Sequence, residues 1–276
     1  MKIHHLNCGT MRPLGMPRQD GTGGFFVRGD GVIHCLLVET GEGLVLLDTG
    51  WGLRDCAEPA PTVRTFMTLG GCTCDPEETA VRQVARLGFD PADVRHILLT
   101  HMHLDHAGGL PDFPQASIHL ADAELAAVRN PRTYMERFAY RREHWAHGPR
   151  WRPHPAAGGR WFGVESSPTL RVDGVEFVLV PFTGHTRGHC AVAVRAEDGW
   201  LLHCGDLYGY PPQVDPVQSY AYPCGALMET IVTTGFTMPR RHWAVLRDLQ
   251  RAHGDEVRMF CSHAPFPQGP ALGRGK

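Results

Sequence analysis

Ten consecutive residues constrain this chain most: Thr100-His101-Met102-His103-Leu104-Asp105-His106-Ala107-Gly108-Gly109 sets four potential metal ligands within six positions. Imidazole and carboxylate are the ligand types of zinc and its neighbours. Without a metal, so many crowded neutral imidazoles would leave buried nitrogens unpaired at high cost. The apolar run Ile97-Leu98-Leu99 in front reads as a buried strand. Residues two apart on an extended chain point the same way, so His101 and His103 can grip one ion together. Asp105 and His106 then need a bend that aims them at a second position, and Ala107-Gly108-Gly109 lets backbone pass close by.

At 276 residues the chain can bury a full core, and residues 1–276 are read as one domain. A net charge of −2 and 42% hydrophobic residues place it among ordinary globular proteins, with no general pull toward nucleic acid or membrane. The opening Met1-Lys2-Ile3-His4-His5-Leu6-Asn7-Cys8 lacks the apolar stretch of a signal peptide, and nothing approaches the roughly 18 apolar residues of a spanning helix. The nine cysteines include no C-x-x-C pair. That predicts neither a disulfide framework nor a thiolate zinc module, and points to a reducing cytoplasm.

Residues 32–39 and 44–48 are apolar, β-rich runs around Thr40-Gly41-Glu42-Gly43, a hairpin signal that closes at Asp48-Thr49-Gly50. A helix is expected over Glu77–Leu87, started by Asp75-Pro76 and stopped by Gly88. Residues 174–180 read as a strand, and Cys190–Val194 with Trp200–His203 as a hairpin ending at Gly205-Asp206. A last helix, Arg240–Ala252, precedes a strand over Val257–Cys261. Strands followed by helices in each half predict two sheets covered by helices. The stretch 129–162 is dense in arginine and aromatics. It reads equally as an inserted lid over the site or as a surface helix and loop covering the core or a homodimer contact.

Three further segments end strands with metal-binding side chains: Thr183-Gly184-His185-Thr186-Arg187-Gly188-His189, Cys204-Gly205-Asp206 and Cys261-Ser262-His263. Loops at strand ends on a rigid scaffold are where catalytic groups gather. The order His-x-His-x-Asp-His, Gly-His-Thr-x-Gly-His, Gly-Asp, Ser-His, preceded by Leu-Asp-Thr-Gly, resembles the metallo-β-lactamase superfamily across nearly the whole chain. The resemblance implies an α+β fold, a four-layer αββα sandwich with two mixed sheets and a two-metal site on one edge. It implies that His101, His103 and His185 hold one ion, that Asp105, His106 and His263 hold the other, and that Asp206 bridges them. Asp48 and His189 would orient those ligands from behind. The ions implied are two divalent metals, zinc first, with manganese, iron and cobalt as alternatives. The other histidines, His4, His5, His96, His119, His144, His147, His154, His242 and His253, read as ordinary hydrogen-bonded core or surface residues.

Within the superfamily, true class B β-lactamases lack the bridging aspartate and flavodiiron proteins carry a glutamate where this chain has His103. The pattern is most similar to acyl-homoserine lactonases, which implies hydrolysis of a lactone or carboxylic ester by a metal-bridging hydroxide, with a small molecule as partner. Those lactonases place a tyrosine three residues after the bridging aspartate, whereas here position 209 is Gly and the tyrosine is Tyr208. Asp105 and Tyr208 are the candidates to assist with protons beside Asp206. The stretch Tyr208 to Tyr222, with Trp145 and Trp151, is expected to line an apolar acyl pocket. A glyoxalase II thioesterase, a phosphodiesterase such as RNase Z, and a metal-binding sensor without turnover are the alternatives.

Overall fold

The computed structural model describes residues 1–16, 18, 23–24, 26–217 and 240–265. The first sheet has six strands in sequence order: β1 (Ile3–Met11), β2 (Gly31–Glu39), β3 (Leu44–Leu47), β4 (Val94–Leu98), β5 (Ser117–Ala121) and β6 (Arg150–His154). β1 to β3 run antiparallel, and β3 to β6 run parallel. A small hairpin, β7 (Gly159–Trp161) with β8 (Val164–Ser166), leads to the second sheet. That sheet holds β9 (Leu170–Val172), β10 (Val175–Pro181), β11 (Cys190–Ala196), β12 (Gly199–His203) and β13 (Val257–Phe260) in the order β13-β12-β11-β10-β9. β12 and β13 are parallel and the rest antiparallel.

Side chains alternate across each strand, and in the central strands, such as β2, β3, β10, β11 and β12, both faces are buried. In β2, Leu36 and Val38 point between the sheets to meet Phe177, Leu179 and Val192, while Ile33, Cys35 and Leu37 point out toward a layer of helices. In β11, Val192 and Val194 face the first sheet, and Ala191 and Ala193 face the opposite side. Burial on two faces explains why these strands read as continuous apolar runs rather than as alternating ones. The outer helices of the first sheet include α1 (Leu53–Ala57), α2 (Pro61–Gly70), α3 (Ala80–Arg86), α4 (Leu104–Ala107), α5 (Asp122–Arg129) and α6 (Tyr134–Ala139). Over the second sheet lies α7 (Arg240–His253), which buries Trp243, Leu246 and Leu249. The layers are therefore helix, sheet, sheet, helix, an αββα sandwich.

Four expectations are modified. The helix expected over 77–87 is split: Pro76–Glu78 is a 3-10 turn capped by Asp75, whose carboxylate accepts the Glu77 N–H at 2.9 Å, and Thr79 is extended before α3 begins. Cys56 and Cys74 are joined in a disulfide, which the expectation of no disulfide framework did not include; α1 and the run after α2 bring together two cysteines that no motif links. Trp145 and Trp151 pack against the helix-covered core of the first sheet instead of lining an acyl pocket. The part of that expected pocket over 218–222 lies outside the described residues. Finally, the 129–162 stretch is neither purely lid nor purely cover, because β6 completes the first sheet and Tyr140 joins its core.

Candidate metal centre

β3, β4 and β5 are parallel, so the loops after them leave from one edge. The β10–β11 turn and the ends of β12 and β13 leave the second sheet on a common edge as well, as the pairings Pro181 with Cys190 and His203 with Phe260 require. The two edges are stitched together. Cys190 donates its N–H to the Thr100 carbonyl at 3.0 Å, and His34 donates to the Ser262 carbonyl at 2.9 Å. Ligand types far apart in sequence meet there as a direct consequence of topology.

Three groups have ligand atoms all within 4.8 Å of one another: His101 with His103 and His185, His101 with His106 and Asp206, and Asp105 with His106 and His263. Asp206 and four of the other six interlock further. Asp206 Oδ2 lies 3.2 Å from both His185 Nε2 and His263 Nε2, and Asp206 Oδ1 lies 3.2 Å from His106 Nε2. Asp105 Oδ2 is 3.7 Å from His263 Nε2. His101 and His106 are completely buried. His101 Nε2 and His103 Nε2 are buried with no hydrogen-bond partner among the described residues. Orphaned imidazole nitrogens of this kind are costly unless a cation accepts their lone pairs, so the donor set fits divalent metal.

Neighbouring residues aim the rings. Asp48, held at φ 54°, accepts from the Thr100 N–H and hydroxyl, each at 2.8 Å, and faces His106 Nδ1 at 2.9 Å. A positive φ is uncommon outside glycine and most tolerable for Asp and Asn. It turns the carboxylate back under the loop. His263 Nδ1 sits 3.0 Å from the Val32 carbonyl, which leaves Nε2 for Asp206. His189 Nε2 accepts the Asp206 N–H at 3.1 Å, and His203 Nδ1 accepts the Gly205 N–H at 3.2 Å while its Nε2 donates to the His34 carbonyl. Gly205 has φ 55°, and a Cβ there would come within 2.5 Å of His189 Nε2, so only glycine lets the Asp206 loop turn so tightly.

The electrostatics follow the same geometry. Burial pushes the His106 imidazole down, yet Asp206, Asp105 and Asp48 outweigh it and raise its pKa well above the ordinary value. Burial likewise opposes protonation of His263, but Asp206 and Asp105 lift it to about 9. Burial opposes ionisation of Asp206, and His263, His106 and His185 overcome that and hold it well below the usual carboxylate range. His189 is pushed down to about 3, first by burial and then by His185.

The arrangement of parallel strand ends, the ligand run and the Asp206 turn coincides with a family pattern. The model of the metallo-beta-lactamase superfamily matches residues 28–255. The chain belongs to the metallo-β-lactamase superfamily. It is 39% identical over 265 residues to a probable metallo-hydrolase of Mycobacterium tuberculosis, covering 96% of this chain and 81% of that one. It is 30% identical over 238 residues to an N-acyl homoserine lactonase of Agrobacterium fabrum, with 86% of each chain covered. Among solved structures, an N-acyl homoserine lactone hydrolase with the product N-hexanoyl-L-homoserine at its catalytic metal centre has the same fold, with a TM-score of 0.63, 19% identity, and 95% and 92% coverage of the two chains. This superfamily member is a metal-dependent hydrolase.

Of the residues expected at the site, the structure gathers His101, His103, Asp105, His106, His185, Asp206 and His263, with Asp48 and His189 against them. Tyr208 is placed elsewhere. It is buried in the core between the second sheet and α7, with the Cys204 and Cys261 thiols as its neighbours. Sequence reasoning missed Thr100, His203 and Glu124, all of which hold ligand loops through hydrogen bonds. Thr100 was legible as the residue that opens the ligand run; for Glu124 no local signal existed.

Proposed function

We propose that this chain is a dinuclear hydrolase that opens a small-molecule ester, with acylated lactones as the favoured substrate class. The observation that carries the reading is the Asp206 carboxylate, within 3.2 Å of His106, His185 and His263 at once, so that a single side chain reaches both groups of imidazoles. In this reading His101, His103 and His185 would hold one ion, Asp105, His106 and His263 the other, and Asp206 would serve both. A pair of divalent ions, zinc first and manganese, iron or cobalt as alternatives, would activate water near neutral pH and polarise a carbonyl oxygen. The protein's own part is positional. Asp48 and the Val32 carbonyl fix the two imidazoles of the second group, and His203 and His189 hold the successive Gly205 and Asp206 N–H groups that lead into the Asp206 side chain. Asp105, beside His263, is the carboxylate placed to carry a proton toward a leaving alcohol. The similarity to the Agrobacterium lactonase supports the choice of substrate class.

Metal analysis with a panel of acyl lactones, aryl esters, lactoylglutathione, an aryl phosphodiester and a cephalosporin tests the reading. The expected result is two metal equivalents and the highest kcat/KM on a lactone. Asp206→Asn should lower turnover by about 100-fold or more, beyond the roughly 10–100-fold typical of removing a group that merely supports a ligand. Near-wild-type activity in that variant, or a clear preference for the phosphodiester or thioester, would overturn it.

A further inference from the structure

Glu124 lies in the first turn of α5 and is completely inaccessible to solvent. A buried carboxylate is expensive unless its lone pairs are filled. Here they are filled by two loops from two different sheets. Oε1 accepts the Met102 N–H at 2.9 Å, and Oε2 accepts the Thr186 hydroxyl at 2.7 Å and the Gly188 N–H at 3.0 Å. Met102 stands between His101 and His103, and Thr186 follows His185 directly. The loop also lies flush on the helix: a Cβ at Gly188 would sit 2.1 Å from the Glu124 nitrogen, so no other residue fits without moving the turn that carries His185.

We infer that Glu124 is a positioning residue for the His101, His103 and His185 group, acting through Met102, Thr186 and Gly188 without touching metal or substrate. The inference rests on the proposed metal centre. A carboxylate suits the task because all three partners are donors and each of its oxygens is an acceptor. Glutamine cannot replace it, since its NH2 would face either the Met102 N–H or the pair formed by Thr186 and Gly188. Burial pushes the Glu124 carboxyl up and the three hydrogen bonds pull it back toward the ionised form, in which they are charge-assisted and stronger than bonds between neutral groups. The same geometry gives the Thr and the second Gly of the Gly-His-Thr-x-Gly-His run their purpose.

The test compares wild type with Glu124→Gln, Thr186→Val and Thr186→Ser, using zinc titration against a chromophoric chelator, the visible spectrum of the cobalt-substituted protein, and thermal melting of the metal-free protein. Wild type is expected to bind two equivalents. Glu124→Gln and Thr186→Val should weaken one equivalent by about 10–100-fold, the range for groups that orient a ligand from behind. They should leave the other equivalent unchanged, alter the cobalt spectrum, and keep a cooperative melt in the absence of metal. Thr186→Ser retains the hydroxyl and should behave as wild type. Unchanged affinity and spectrum in Glu124→Gln, with two equivalents in wild type, would overturn the inference alone. Equal weakening of both equivalents together with a lowered metal-free melt would also overturn it, by showing a general structural role. A wild type that takes up no metal would overturn the metal centre itself.

Discussion

His106 is gripped at both ring nitrogens, by Asp48 at Nδ1 and by the Asp206 carboxylate at Nε2. Three nearby carboxylates keep its proton on against the effect of burial, and the His263 imidazole, lifted to about 9, is in the same condition. A metal ion must take the place of those protons. Because His263 is protonated in the metal-free fold at every pH below about 9, uptake at pH 7 should release protons, and affinity should rise with pH up to that value. Calorimetry in buffers of differing ionisation enthalpy reads this directly, and binding heats that do not depend on the buffer would contradict it. Tyr208 supplies a second prediction. With its ring in the core beside Cys204, Tyr208→Phe should leave kcat within about twofold, whereas a proton-donating or oxyanion-stabilising tyrosine would cost roughly 100-fold or more.

Between the sheets, three adjacent strands carry a chain of imidazoles in place of hydrocarbon. His96 of β4 meets His119 of β5 at 2.9 Å, His119 meets His154 of β6 at 2.9 Å, and Asp173 stands 3.6 Å from the far nitrogen of His96. Burial first, and then His154, His96 and Arg152, push His119 down to about 3 from 6.5. The folded chain therefore keeps this ring neutral while the unfolded chain takes up a proton below about 6.5, so the stabilisation is complete above that pH and is lost as pH falls toward 3. Urea midpoints measured between pH 7 and pH 4 should decline, and His119→Leu should decline less steeply. Identical slopes would refute the assignment. Elements of this kind mark the limit of what a sequence discloses. β2, β3, β11 and β12 are legible because both of their faces are apolar, whereas Arg-Trp-Arg-Pro-His in β6 offers the core a single tryptophan, and its strand character comes from pairing with β5. The disulfide was hidden for a similar reason, since its two cysteines are brought together only by the packing of α1 near the end of α2.

Across the whole molecule, the legible part of the centre is the part written in short runs. His101 to His106 and Gly184 to His189 each announce several ligands within a few residues, and the strands before them fix the edge on which they emerge. What could not be read depends on distance: Glu124 is 22 residues from Met102 and 62 from Thr186, and on its own it resembles any acidic residue in a helix's first turn. The segment after α5 is bound into the same arrangement. Arg187 of the ligand loop pairs with the buried Glu136 of α6 at 2.6 Å and donates to the Asn130 carbonyl at 2.8 Å, and β6 then closes the sheet's edge with Arg150 and Arg152 exposed. Anyone building chimeras between superfamily members by exchanging this stretch would thus be transplanting a sheet margin and the counter-ion of a ligand loop. A workable graft has to carry Arg187 along with Glu136 and end beyond His154, because a crossover inside that span would leave a buried charge in one parent's half without its mate in the other's.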